Sequence, residues 1–351
     1  MSSNIEYHRR RRLGSVLIAV LAILFTLSLV VTRFIEETVR ELTLRGQFEN
    51  RPDLRAAAYT GMETAFAVIH ELLVLDGTLH APVQGWADPL AYADFDVGNG
   101  LSVSSQVTDL TGKVPLASLD ETQLPLLFES LGFDSYDSLE LADSLLDWTD
   151  GDDLVRLNGA EADAYGYEEP VIQPPNAPLA SLHELRWVAG FRDAFFDAEG
   201  QPNAAFSALI ATVTLYPVDA INLNTARPGA YRFIQALEGG ATLDPLLRFL
   251  AGDDGEAGTA DDQFLRSEDN LVYTPAASAN LVGYQAQVLE IRIDAKRGPA
   301  RLTLTAVIQL PEGANRSRDN GQTSGLAGAF SGTASNPYPF TILALAENSA
   351  I

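Results

Sequence analysis

The sequence predicts an α+β fold: a long apolar N-terminal helix, then an antiparallel sheet with a large all-helical block inserted between its strands. Three observations predict it. The run from Ser15 to Thr32 contains no charged residue. Apolar and polar residues alternate with a period of two in "GLSVSSQVTDLTGKVPLAS" and again in "LVGYQAQVLEIRID" and "ARLTLTAVIQL". Between these strand-like stretches, from Asp120 to about residue 198, the apolar spacing is three and four, as on helix faces. Helical sequence bracketed by strands reads as an insertion into one domain.

Taking the elements in order, "RRRRLGSVLIAVLAILFTLSLVVTR" opens the chain. As a helix, the uncharged run is roughly 27 Å long, close to the hydrocarbon thickness of a bilayer. Arginines before it favour a cytoplasmic N-terminus, with the bulk of the chain across the membrane. No Ala-x-Ala-like cleavage site follows Thr32; "TRFIEETVRELTLRG" continues with helix formers, so a signal anchor with an extended helix is expected. Pro52 is expected to break or kink that helix. Beyond it, Ala58, Met62, Ala65, Ile69 and Leu72 recur on one helix face. "ETQLPLLFESLGFDS" and "SLELADSLLDWTDGDD" read as short amphipathic helices. "PLASLHELRWVAGF" reads as a third, with Ser181 as N-cap and Glu184 three residues on. "DAINLNTARPGAYRFIQAL" opens a further unit with Thr225 as cap and Pro228 in the first turn. The Asn pair of "INLN" is expected to brace a turn through backbone bonds. Two antiparallel strands surround "AKRGP", residues 311–336 are Gly/Ser/Asn-rich and expected to be mobile, and "YPFTILALAE" supplies a last strand.

Composition narrows the function. The 351 residues suffice for two or three domains. Asp and Glu number 47 against 23 Lys and Arg, a net charge of −24. Such a surface repels phosphate backbones and argues against nucleic acid. Cysteine is absent, which excludes disulfides and thiolate metal sites, and the four histidines, His8, His70, His80 and His183, are scattered. No G-x-S-x-G, H-E-x-x-H or P-loop is present. Carboxylate pairs such as Asp150 and Asp153 arise by chance in so acidic a chain, so an enzyme is not expected.

The junction "RRRRLG" followed by "SVLIAV" resembles a type IV prepilin, whose leader is cut on the cytoplasmic side after the glycine. On that resemblance Gly14 ends the leader and Ser15 becomes the mature N-terminus. The fifth mature position, where most pilin-like subunits carry Glu, is Ala19. Further on, "LLDWTDGDDLVRLNGAEADAYGY", "PPNAPLASLHELRWVAGF" and "INLNTARP" together resemble the K-type minor pseudopilin family of type II secretion (general secretion pathway protein K). That family has a DW-x-D-x-D run, a GAE, an N-x-P-L-x-S-x-x-EL-x-x-V-x-G and an IN-x-NTA, and all four occur here in order over roughly residues 9–310. Lack of the Glu at Ala19 is characteristic of K-type subunits. Val114 and Leu116 depart from the family's more polar turn, and 252–263 and 311–336 look like local additions.

The resemblance implies a pseudopilin body with two SAM-like helical subdomains inserted. Residues 1–14 would be the leader and 15–76 the transmembrane and extended helix. The first β region would be 77–115, the two subdomains 116–216 and 217–280, and the second β region 281–351. It implies a methylated, single-pass inner-membrane subunit with its C-terminal bulk in the periplasm, at the pseudopilus tip. Its partners would be the I-type and J-type minor pseudopilins, other pseudopilins and the prepilin peptidase. The alternative is a signal-anchored periplasmic calcium-dependent binding module.

"DWTDGDDLVRLNGAE" places Asp147, Asp150, Asp152, Asp153 and Glu161 within fifteen residues. Calcium takes six to eight oxygens, which such a loop can largely supply, but the spacing is not that of an EF-hand. From the residues alone, a calcium loop and a solvated acidic loop both stay open, and Asp147 has a further reading as a helix cap beside Trp148. The resemblance implies bound calcium. Asp253, Asp254, Asp261 and Asp262 form a second, weaker candidate set, for which a flexible acidic loop is the other reading.

Overall fold

The computed structural model describes residues 3–98, 100–165, 173–267, 273–311 and 338–348; in the first helix the side chains of 3–17, 19 and 39–51 are not among them. Nearly all of the 311–336 segment lies outside the described residues.

Helix α1 runs from Ser3 to Asp76 and takes in both the uncharged run and Pro52. The break expected at Pro52 does not occur. A proline removes one backbone bond, and here the helix beyond it is held by a continuous buried stripe: Leu54, Ala58, Met62, Ala65, Ile69 and Leu72. The helix ends at Gly77, whose φ of 77° lets its N–H reach the Leu73 carbonyl at 2.9 Å. Ile18, Leu21, Ile23, Phe25 and Phe34 are exposed on the N-terminal part of α1. Among the described residues no helix is long and apolar enough to cross a membrane, the side chains of 15–17 and 19 lying outside that set.

The chain forms two compact units. The first holds Met1–Tyr59, Asp96–Val103 and Asp294–Leu302, where Arg297 pairs with Asp53 at 2.7 Å. The second holds Thr60–Phe95, Ser104–Ile293 and Thr303–Ile351. After α1 come α2 (Pro89–Tyr92), β1 (Ser102–Asp109), β2 (Val114–Pro115), α3 (Gln123–Ser130), α4 (Ser135–Thr149), α5 (Ala162–Tyr165), α6 (Phe191–Phe195) and α7 (Ala204–Thr212). They are followed by β3 (Val213–Thr214), β4 (Ile221–Asn222), α8 (Pro228–Leu237), α9 (Asp244–Leu250), β5 (Val282–Gly283), β6 (Val288–Arg297), β7 (Ala300–Gln309) and β8 (Thr341–Glu347). The main sheet has the order β1-β6-β7-β8, so all of α3 to α9 is inserted between two neighbouring strands. β7 and β8 are antiparallel, with Leu304 opposite Glu347, while β2-β3 and β4-β5 are short parallel pairs inside the insert. The insert has its own core, in which Leu127, Phe128, Phe191, Phe195, Phe206 and Phe233 are fully or almost fully buried.

A polar hub ties this insert to the end of β1. Asp109 is buried there and accepts from the Thr111 N–H at 2.8 Å, Asn222 Nδ2 at 2.8 Å and the Thr225 hydroxyl at 2.5 Å. Burial pushes its carboxyl up, against the pull of those donors. The expected bracing role of the Asn pair is seen: Asn222 also donates to the His80 carbonyl, and Asn224 to the Leu265 and Tyr284 carbonyls. Gly112 lies so close to the Thr225 carbonyl that a Cβ there would collide with it. Two local expectations are corrected. Thr225 does not cap α8: its hydroxyl is spent on Asp109, and Arg227 holds the N-cap position ahead of Pro228. Leu182–Trp187 is a 3-10 helix. Ser181 caps it, while Glu184 accepts from Trp148 Nε1 at 3.1 Å and the Ala180 N–H at 3.0 Å.

Candidate functional site: the acidic loop after α4

Helix α4 begins at an Asp134 cap, whose carboxylate accepts from the N–H groups of Tyr136 and Asp137. Its buried face (Leu141, Ala142, Leu145, Trp148) locks it into the insert core. That burial carries Asp147 inward with it. Asp147 is fully buried, in the last turn of α4 rather than at a cap. A buried charge needs partners, and Arg156 supplies them. Its backbone N–H donates to Asp147 Oδ2 at 3.1 Å, and its guanidinium to Asp147 Oδ1 at 2.6 Å and Asp150 Oδ2 at 2.5 Å. These carboxylates push the Arg156 pKa up, Asp150 foremost. Gly159 lies against the Asp147 carboxylate, where a Cβ would overlap it. One turn earlier, Asp143 accepts from both the N–H and the amide of Asn158, at 3.0 and 2.9 Å.

Of the other expected ligands, Asp152 accepts from the Leu154 N–H at 2.9 Å and Asp153 from Asn176 Nδ2 at 3.3 Å. Glu161 differs from all of these. It is 8% exposed, and neither carboxyl oxygen has a hydrogen-bond partner among the described residues. Burial raises its pKa, and the negative charges of Asp147, Asp150, Asp153 and Asp152 raise it further. The loop thus brings all five sequence-predicted carboxylates within electrostatic reach of one another. Among the described residues no group of three carboxylate or histidine side chains is gathered closely enough to hold a metal ion. Sequence reasoning missed Arg156, Asp143 and Asn158. The signal for Arg156 was present, as it is the one cation within the acidic run.

The second candidate set lies in the loop after α9. There Asp261 Oδ2 accepts from the N–H groups of Asp253 and Asp254 at 2.8 and 3.1 Å, and its Oδ1 from the Thr259 hydroxyl at 2.7 Å. Those bonds, the Thr259 hydroxyl first, hold its carboxyl down at about 2. Asp262 accepts from the Gly258 N–H and Asp254 from the Glu256 N–H. Gly252, at a φ of 64°, lets the chain turn where a Cβ would strike the Asp261 carbonyl.

The chain is similar to known proteins in sequence and in fold. A family model described as type II secretion system (T2SS), protein K, matches residues 103–198, the end of β1 and the acidic loop included. Type II secretion system protein K of Klebsiella pneumoniae is 28% identical over 246 residues, covering 66% of this chain and 71% of that protein. A chain of the solved GspK-GspI-GspJ complex from the enterotoxigenic Escherichia coli Type 2 Secretion System matches with a TM-score of 0.58 and 16% identity, covering 87% of this chain and 99% of that one. At that identity the likeness is one of fold. With the four ordered motifs and the helical insert between β1 and β6, these matches make the chain similar to protein K of type II secretion, over residues 103–198 by the family model and in overall fold by the solved structure.

Proposed function

We propose that this chain is the minor pseudopilin that caps the tip of the periplasmic pseudopilus and helps initiate its assembly for protein export. The relationship to type II secretion system protein K carries the reading. The I-type and J-type minor pseudopilins are its partners, a reading supported by the shared fold with a chain of the GspK-GspI-GspJ complex. The insert is read as two SAM-like subdomains, residues 116–216 and 217–280. Its bulk suits the end of a slender fibre better than the interior of one. Ala19 fits the same position: a carboxylate inside a membrane costs a few kcal/mol unless a neighbour pairs with it, and a terminal subunit has no such neighbour above it. Co-purification of the chain with I- and J-type subunits, with light scattering, tests this. A one-to-one-to-one complex is expected, and homopolymeric fibres would overturn it.

The apolar start of α1 is the inner-membrane anchor in this reading, with the C-terminal bulk in the periplasm. The prepilin peptidase cuts after Gly14, so the mature chain begins at Ser15. Mass spectrometry of membrane-extracted protein is expected to show that terminus, and Gly14→Arg to abolish it. An intact chain beginning at Met1 in peptidase-containing cells would refute the processing.

Calcium fits the α4 loop on one observation of this structure: the Glu161 carboxylate is buried, unpartnered and surrounded by negative charge. Asp147, Asp150, Asp152, Asp153 and Glu161 would hold the ion by drawing together from their present positions, where no three of them are gathered. It would supply the positive charge that Arg156 alone does not bring to Glu161. Asp253, Asp254, Asp261 and Asp262 form the weaker site.

A further inference from the structure

The α4 loop also presents three large apolar side chains to solvent. Leu154, Val155 and Leu157 are 76%, 63% and 95% exposed. Scattered apolar residues on a surface need no explanation, but three within four residues on one rigid loop do. The rigidity comes from the polar groups around them. The Leu154 N–H is fixed on Asp152, Arg156 turns inward on Asp147 and Asp150, and Asn158 is held twice by Asp143. With those anchors taken, the apolar side chains face solvent. They stand out on a frame that will not collapse over them.

We propose that Leu154, Val155 and Leu157 form a docking prong for a partner protein that offers an apolar socket bordered by lysine or arginine. Preorganised apolar anchors are what a binding hot spot requires, because little ordering cost remains at association. Charge selects the partner. Asp163 stands exposed just after the prong, the chain as a whole carries −24, and the loop's one cation is consumed internally. A second copy of this chain, at a net charge of −24, is repelled, and so is an anionic lipid surface. A basic-rimmed socket gains both the apolar contact and the charge. The inference goes beyond the tip assignment and does not depend on it.

The test places the photo-crosslinker p-benzoylphenylalanine at Leu157 in the full-length chain in cells, with the same probe at exposed Tyr136 as control. Since Leu157 is almost wholly exposed, the melting curve should not move. A protein adduct is expected, mapping to apolar residues flanked by lysine or arginine. Its yield should be severalfold above the control and should fall severalfold when those basic residues are changed to alanine. Yield should also collapse in the L154S/V155S background. An adduct confined to phospholipid, to another copy of this chain or to a neutral or acidic protein site would overturn the proposal. So would a yield no greater than at Tyr136. An I- or J-type pseudopilin bearing the basic socket would support it.

Discussion

Two acidic loops of this chain carry five carboxylates each and differ in electrostatic condition. In the loop after α9, Asp254, Asp261 and Asp262 accept from the loop's own N–H groups, and the Thr259 hydroxyl with the Asp253 and Asp254 N–H groups holds Asp261 down at about 2, although Asp262 Oδ1 is buried without a partner among the described residues. The Asp261 charge is useful where it stands. In the loop after α4, helix packing has drawn Asp147 out of water and buried Glu161 beside it. Arg156 answers the first charge and leaves the second unanswered. Acidic composition alone therefore does not set a loop's electrostatic condition; the balance between burial and available donors does, and the buried face of α4 helps set that balance here.

The largest break in this comparison should come from Asp147→Ala. It removes a fully buried carboxylate that receives two bonds from Arg156, and we expect about 3 kcal/mol of destabilisation. Asp261→Ala, on an exposed loop, should cost far less. Urea unfolding of detergent-extracted protein, followed through the summed tryptophan fluorescence of Trp86, Trp148 and Trp187, measures both. Equal losses would mean that burial does not separate the loops.

A sharper test is a reversal of sign. Glu161→Gln removes the unpaired charge while keeping the shape. In chelator the variant should be more stable than wild type, because it lacks the charge that burial and the neighbouring carboxylates disfavour. With calcium at a hundredfold over its dissociation constant, wild type should gain roughly 2.7 kcal/mol and the variant much less, so the order inverts. Melting curves with and without the ion decide it. If wild type and variant kept the same order in both conditions, the calcium assignment to this loop would fail.

Much of the fold was legible because it rests on local periodicity. Alternation placed β1, β6 and β7, three- and four-residue spacing placed α3 and α4, and strands bracketing helices gave the insertion. The misses share a cause: a tertiary partner overrode a local rule. Thr225 looks like a cap until Asp109 claims its hydroxyl, and Pro52 looks like a stop until the buried stripe on α1 carries the helix past it. At the candidate site, the acidic run was visible but its electrostatic state was not. That state depends on which carboxylates α4 buries, and on a salt bridge nine residues long between Asp147 and Arg156. Leu154, Val155 and Leu157 went unremarked for the same reason, since exposure is not written in a four-residue apolar stretch.

The smallest effect separates two glutamates by pH. Glu161 is raised above its ordinary value of 4.5, so its charged form opposes the fold. That penalty is absent below about 4.5 and complete once pH has risen through the raised value. Glu238 goes the other way. Burial works against its charge, but the Ser278 hydroxyl and the N–H groups of Ser278 and Ala276 outweigh burial and hold it at about 2. Its stabilisation is present above 4.5 and lost as pH falls towards 2. In chelator, wild type should therefore lose melting temperature on both sides of a maximum near pH 4.5 to 5 as far as these two groups decide it. Glu161→Gln should flatten only the limb above the maximum, and Glu238→Gln only the limb below it. Calcium should remove the upper limb of wild type as well, because the ion binds the deprotonated loop and turns a repelled charge into a ligand. If Glu161→Gln altered the acid limb instead, the negative field assigned to the α4 loop would be wrong, whereas unchanged limbs in Glu238→Gln would show that the 276–278 amides do not hold that carboxylate in solution.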